Sequence, residues 1–370
     1  MTTEQGSRLA SLGWDAHWAA AYRDAAVRSS VSSADDCVPG RIVAEHRGRY
    51  NLAREDGDGS AVLAGRARHA AIGREEWPAV GDWVGVSHAA GDGMALIRFV
   101  VPRRGAFLRK TAGVTTEAQV VAANVDLALI ATANPGDLST RRLERYLTLA
   151  WESGAMPVVV LTKSDLGDDV DASIAEAALA APGADVVAVS AVTGDGIDRL
   201  SAHLSPGRTA VLLGSSGVGK STLVNRLLGS ERQRTGAMNA IGKGRHTTTH
   251  RELVRLANGA LLIDTPGMRE LQLWTADAGL ESAFADVDAF ANACRFRDCA
   301  HASEPGCAVR QAVDDGALSP ARLDHWRELR RELAYLARKQ DERASSAERS
   351  RIKTLTKGLR NHLRDKYGGA

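Results

Sequence analysis

The stretch 208–222, RTAVLLGSSGVGKST, constrains this chain more than any other. An apolar run enters G-x4-G-K-S, and the segment beginning there, KSTLVNRLLG, has helical apolar spacing. Strand, glycine-rich turn and helix in that order make a phosphate cradle. Gly217 and Gly219 let backbone N–H groups curl around an anion, and the helix N-terminus adds a favourable dipole. Within the loop formed by Gly214, Ser215, Ser216, Gly217, Val218, Gly219, Lys220, Ser221 and Thr222, Lys220 would reach the β- and γ-phosphates and Ser221 would take Mg²⁺. Such a loop needs a mainly parallel sheet covered on both faces. VDLALIAT, MPVVVLT, ADVVAVSA and GALLIDTPG read as its buried strands, and TRRLERYLTLAWESG and DGIDRLSAHL as its helices.

LLIDTPG at 261–267 is the expected second half of the phosphate site. Asp264 ends a strand and would hold Mg²⁺ through water, and the Gly267 N–H would sense the γ-phosphate. Between the two motifs GKGRHTTTH is polar and glycine-rich, as a switch loop is. Thr248 or Thr249 would close over Mg²⁺. His246 is a candidate to orient the attacking water, because Met268 stands where many GTPases carry a water-positioning glutamine. A solvated loop histidine is the equally simple reading.

VVVLTKSD, at 158–165, ends a strand in Thr162, Lys163, Ser164 and Asp165. Asp165 would accept from the guanine ring N–H and the exocyclic amine, and Lys163 would lay its stem along the base. Adenine would leave the carboxylate unpaired, enough for roughly 10⁴-fold rejection. About twenty-five residues on, Ser190 and Ala191 end another strand and offer N–H groups to the guanine carbonyl oxygen. A base-reading loop belongs after the phosphate loop, yet here it comes roughly fifty residues before it. The order is permuted, with SPGR at 205–208 as the joint.

The rest of the chain is multidomain. Residues 1–36 read as a frayed helical extension. Short alternating runs broken by Gly and Asp over 37–110 predict a small β-barrel, an OB-fold fitting best and other small barrels remaining open. Arg41, Arg47, Arg49, Arg66, Arg68, Arg103 and Arg104 would suit nucleic-acid contact on it. The α/β domain then covers 111–284, and a metal module with a basic tail covers 285–370. Cys294, Cys299, His301 and Cys307 form a Cys3His set suited to one structural, tetrahedral zinc. Cys37 stands apart as a small core residue. From Arg338 to the end there are ten basic residues against four acidic ones, which suits a polyanionic partner. No secretory leader or membrane span is evident, so a cytoplasmic location is expected.

The order base-reading loop, SA, phosphate loop, switch and DTPG, with a barrel before and a Cys/His module after, resembles the ribosome small-subunit-dependent GTPase A family over roughly 37–330. The resemblance implies a GTP hydrolase stimulated by the small ribosomal subunit, binding its rRNA and acting as a late maturation checkpoint. The partners it implies are GTP, GDP and that subunit, with the chain a monomer. Thr162 departs from the family, which usually has Asn there. The alternatives are a nucleotide-gated RNA-binding factor with negligible turnover and, less compatible with TKSD and SA, a small-metabolite kinase. The permutation also predicts a covalent relay, from Gly267 into the metal module.

Overall fold

The computed structural model describes residues 7–29, 37–46, 48–71, 73–87, 94–110, 118–134, 136–229, 251–264 and 277–338. The first sheet is built from β1 (Val38–His46), β2 (Arg49–Arg54), β3 (Gly57–Leu63), β4 (Trp83–Ser87) and β5 (Ala95–Val100). β1 pairs with β2 and with β4, β2 with β3, β3 in parallel with β5, and β5 with β4. That circuit closes a five-stranded barrel in OB-fold order, with α2 (Gly65–Ala70) between β3 and β4. Ile42, Leu52, Trp83 and Ile97 fill it and have no exposed surface. Closure leaves no free barrel edge, so alternating sequences this short can hold a fold.

The N-terminal residues are not frayed over 7–29. Asp15 caps α1 (Ala16–Arg28), accepting from the Trp18 N–H at 2.9 Å. Trp14 meets Trp83 edge-on at 4.7 Å, Trp18 is buried, and the Tyr22 hydroxyl donates to the Cys37 carbonyl at 2.8 Å. Three aromatic side chains on a short helical segment are too apolar to stay in water. They complete the barrel core, where Cys37 is also buried.

Several basic positions expected to face nucleic acid are structural instead. Arg41 is buried: its guanidinium donates to the carbonyls of Gly81 and Leu12 and, at 2.7 Å, to the Thr209 hydroxyl. Burial lowers its pKa to about 10 despite Asp126 and Asp82 nearby. Arg103 grips the fully buried Asp82 at 2.7 and 2.8 Å. Arg104 pairs with Asp15 and lies over Trp18 but remains exposed. Arg49, Arg66 and Arg68 are exposed, and Arg47 lies outside the described residues.

The second sheet contains β8 (Leu127–Ala133), β9 (Met156–Thr162), β10 (Asp185–Ala188), β11 (Thr209–Gly214), β12 (Arg251–Arg255) and β13 (Leu261–Asp264). Its order is β10-β9-β8-β11-β13-β12, parallel except for β12. The helices α3 (Thr140–Glu152), α4 (Val170–Ala180) and α5 (Ile197–His203) connect β8 to β9, β9 to β10 and β10 to β11. Every residue of β8 and β11 is buried, the pattern of central strands covered on both faces. β6 (Ala106–Lys110) and β7 (Ala118–Ala123) form a separate hairpin between barrel and sheet. The sheet does not stop at β12, which pairs antiparallel with β1, so barrel and α/β strands make one continuous ladder.

After α7 (Asp277–Ala283), the chain forms α8 (Ala285–Ala291), α9 (Ala308–Asp314) and a helix, α10, over 320–338. This region docks on α3. Glu144, 1% exposed, receives Arg322 at 2.7 Å and His325, while Arg322 also takes both oxygens of Asp286. Arg145–Glu332 and Arg141–Glu328 extend the contact one turn at a time. No helix among the described residues is long and apolar enough to cross a membrane.

Removing one partner from a buried charge cluster strands the others. Arg322→Ala should therefore destabilise the fold by about 3–5 kcal/mol, read as a lower urea midpoint. Arg141→Ala, at an exposed pair, should cost well under about 1 kcal/mol. Equal costs would show that the cluster is not what holds this interface.

Candidate functional site

The sequence motifs meet at the carboxyl edge of the parallel strands, where helices and loops leave a crevice beside the central strand. β11 ends in Gly214, the loop turns through Gly217 (φ 82°) and Gly219 (φ 93°), and α6 (Lys220–Leu228) begins at once. Lys220 Nζ donates to the Gly214 carbonyl at 2.7 Å and to that of Ser215, which arches the ammonium across the loop. Ser216, Gly217, Ser221 and Thr222 are exposed at its mouth, Ser215 is half-buried, and Val218 anchors the loop in the core.

The Thr162–Asp165 turn, expected to read the base, lies against this loop. The Thr162 hydroxyl is buried, within hydrogen-bonding range of the Val218 carbonyl and 3.2 Å from that of Thr132. A side chain added at Gly219 would come within 3.8 Å of Thr162 Oγ1 and 3.9 Å of Lys163 Cε. Thr162 thus ties the turn to the phosphate loop. Lys163 adopts a left-handed conformation, φ 59°, before the turn Ser164–Leu166. A non-glycine residue held there stores strain of order 1–3 kcal/mol. Ser164 N–H donates to the Val189 carbonyl at 3.2 Å, linking this turn to Ser190 and Ala191 on the next strand end. Ser190 is buried, its hydroxyl accepting from Thr193 N–H at 3.1 Å. Asp165 is exposed rather than enclosed, at the rim of the crevice.

Asp264 ends β13, one strand over from the loop, and is half-buried. His246, Thr248, Thr249, Gly267 and Met268, together with the tail beyond Arg338, lie outside the described residues. Sequence reasoning missed Asn134. It is buried where β8 ends; its N–H donates to the Thr162 carbonyl at 2.8 Å and its Oδ1 accepts from Ser173. A Cβ at position 167 would meet its amide nitrogen at 2.6 Å, so a side chain there would force Asn134 to shift. The only signal for it in the sequence is an Asn-Pro-Gly at a strand end, a pattern that by itself indicates a turn.

A second constellation lies in the C-terminal region. The ligand atoms of Cys294, Cys299, His301 and Cys307 all fall within 4.8 Å of one another. Cys294 Sγ is 3.6 Å from His301 Nδ1 and 3.9 Å from Cys307 Sγ, and Cys307 Sγ is 3.4 Å from that nitrogen. A tetrahedron with bonds of 2.0–2.3 Å has edges of about 3.3–3.8 Å, so small side-chain adjustments bring these donors around a single ion. Burial pushes the Cys299 thiol up to about 11, helped by Cys307 and Cys294. Cys294 is held below its usual range, because the N–H groups of Val309 and Ala308 outweigh its burial. Burial, then Arg330 and Arg327, lowers the His301 pKa, which favours its neutral, ligating form. Three thiols this close ionise together only around a cation. His301 is another left-handed residue (φ 57°), its carbonyl taken by Arg327.

Comparison with known proteins agrees with this geometry. Residues 100–274 match the RsgA GTPase family. Over 362 residues the chain is 48% identical to a protein of Opitutus terrae named small ribosomal subunit biogenesis GTPase RsgA, covering 95% of this chain and 97% of that one. The chain belongs to the RsgA GTPase family. A Streptomyces coelicolor protein of the same name is 44% identical, covering 94% of this chain and 92% of its own. Among solved structures, YjeQ from Thermotoga maritima aligns with a TM-score of 0.59 and 27% identity, over 80% of this chain and 99% of that one. YloQ, described as a circularly permuted GTPase, aligns with a TM-score of 0.57 and 29% identity, over 80% and 95%. As an RsgA-family GTPase the chain is a hydrolase, and the family implies GTP with Mg²⁺. The residues fit that ion: Ser221 stands in the first turn of α6, after the loop that follows β11, and Asp264 ends β13, the strand beside β11.

The Thr162 brace yields a direct test. Thr162→Ala leaves the Val218 carbonyl without its partner, and GTP affinity should fall about tenfold, as expected for one buried hydrogen bond. Thr162→Asn should retain it. Titration with a fluorescent GTP analogue reads both, and an unchanged affinity in Thr162→Ala would remove the brace from the account.

Proposed function

We propose that this chain hydrolyses GTP on the small ribosomal subunit, as a late maturation factor that contacts rRNA and is stimulated by the subunit. The observation that carries the reading is the packing of the Thr162–Asp165 turn against the Val218–Gly219 segment of the phosphate loop, in a chain alignable along most of its length with proteins named for this role. Asp165, Lys163, Ser164, Ser190 and Ala191 read guanine. Lys220 and the N–H groups of Gly214–Thr222 hold the phosphates. Ser221, Asp264 and one of Thr248 and Thr249 hold Mg²⁺, which when bound neutralises charge on the phosphates. Gly267 senses the γ-phosphate and His246 orients the water.

Two surface cation–aromatic groups support RNA contact. Arg68 and Arg74 lie 4.9 and 5.4 Å from Trp77 on the barrel, and Arg295 lies 5.5 Å from the exposed Phe296 beside the Cys/His set. Such groups stack on bases while neutralising phosphate. The metal is zinc and structural, because four protein donors leave no position for water. The protein acts in the cytoplasm as a monomer.

Turnover measured with and without purified small subunits tests the central statement. Hydrolysis should rise with small subunits and not with large ones, and Lys220→Ala or Ser221→Ala should abolish it. His246→Ala should keep GTP binding and lose stimulation. No rise with small subunits would leave a nucleotide-gated RNA-binding factor, consistent with Met268. Binding to the subunit should weaken steeply with salt, since each neutralised phosphate releases counterions, and should be tighter with a non-hydrolysable GTP analogue than with GDP.

Elemental analysis should find about one zinc per chain, matching one four-ligand set. Cys299→Ser should lose it and lower the stability of the C-terminal region, leaving GTP binding in place. Protein isolated without zinc but fully folded would overturn the metal assignment.

A further inference from the structure

A β-sheet edge exposes unpaired N–H and C=O groups and is a ready docking strip. β12 would be such an edge, but the chain covers it with its own barrel. Ala44 of β1 pairs with Glu252 and Glu45 with Arg251, antiparallel. On its other side Glu252 pairs with Asp264. Asp264, Glu252 and Ala44 therefore occupy one rung, and two strand spacings, about 10 Å, separate the phosphate-side carboxylate from the barrel.

The neighbouring rung carries an ion pair. Arg251 and Glu45 lie 3.7 Å apart with side chains 17% and 23% exposed. The guanidinium also reaches the Val120 carbonyl at 3.4 Å and Gln119 Oε1 at 3.5 Å, so it holds barrel, β12 and the β6–β7 hairpin together. Opposite charges directly across a strand pair stabilise the register. The register cannot slip by one residue without turning every side chain to the wrong face.

β1 itself is built in two parts. At Arg41 it is pinned to Thr209, the first residue of the central strand β11. Between Ile42 and Ala44 its register with β2 shifts, a bulge that bends the strand. Beyond the bulge come the two residues that pair with β12. A fixed point, a bend and a short splice succeed one another within five residues.

The geometry points to the β1–β12 splice, locked by Glu45 and Arg251, as the element that carries nucleotide state from the phosphate site to the barrel. The inference rests on the GTPase reading above. Asp264 moves with the phosphate-side ligands, and the rung hands its displacement to Ala44. Arg41 keeps the other end of β1 still, so the barrel tilts rather than translates. Glu45 and Arg251 are positioning residues: neither enters the nucleotide crevice.

Hydrogen–deuterium exchange of the full-length protein, saturated with GDP or with a non-hydrolysable GTP analogue, tests this. In the wild type the amides of 44–46 should differ in exchange by about threefold or more between the two states, while those of 38–41 stay the same, as for a local opening rather than global unfolding. Glu45→Gln, which keeps the side chain's shape, and Arg251→Ala should abolish the difference. Both should bind GTP within about twofold of the wild type, because a pair outside the crevice makes no ligand contact. The exchanged pair Glu45→Arg with Arg251→Glu should restore it. Identical exchange of 44–46 in both states of a saturated wild type, or a difference that survives in both single variants, would overturn the inference while leaving the GTPase reading intact. Failure to bind GTP at all would overturn both.

Discussion

A guanidinium taken out of water must be given acceptors, and Arg41 finds them in three separate parts of the chain. Leu12 belongs to the N-terminal segment, Gly81 to the barrel and Thr209 to the strand that leads into the phosphate loop. Losing any of these would leave a buried charge short of a partner, which costs several kcal/mol. The consequence is geometric: the aromatic N-terminal helix, the barrel and the central strand are held at one point. Gly13 and Gly207 show how close the approach is, since a Cβ on Gly13 would meet the Gly207 carbonyl oxygen at 2.5 Å. The N-terminal segment therefore packs against Gly207, within the stretch 205–208 expected to be the joint of the permuted order.

The two flanking regions are attached by different physics. The C-terminal region is fixed on α3 by a charge cluster with Glu144 at its buried centre, and the ion pairs of α10 continue it. Such an interface does not yield in small steps, because its charges are satisfied only in one arrangement. The barrel meets the edge of the α/β sheet through two backbone rungs and one half-buried ion pair. This is a contact that can adjust. The covalent relay expected from Gly267 into the metal module must thus enter a region already clamped to α3, whereas the barrel, fixed at Arg41, keeps an adjustable contact at β12.

The permutation leaves the nucleotide crevice unaltered because a parallel sheet is specified by strand adjacency rather than by chain order. β11 sits between β8 and β13 whichever strand comes first, and the loops at the carboxyl ends converge regardless. What must be kept is the contact between loops. Thr162 makes it with a hydroxyl, Asn134 braces it from behind, and Lys163 accepts a left-handed backbone to complete it.

Local chemistry was legible in the sequence as short-range pattern: the structure lays the Thr162–Asp165 turn against the phosphate loop and gathers the Cys/His set at a separate place. The barrel was legible as a texture of short alternating strands, though its closure depends on the β1–β4 and β3–β5 pairings, which join residues far apart. What the sequence could not supply was which charges are inside. Arg41 and Arg103 look like any surface arginine until Thr209 and Asp82 are placed beside them, and residues 7–29 look like a loose tail until Trp83 is placed under Trp14. The buried role of Glu144 and the pairing of Ala44 with Glu252 were equally hidden. Spacing along a chain reports what neighbours can do together, but burial and the meeting of distant strands are properties of the folded whole, because only there is water excluded and an acceptor supplied in its place.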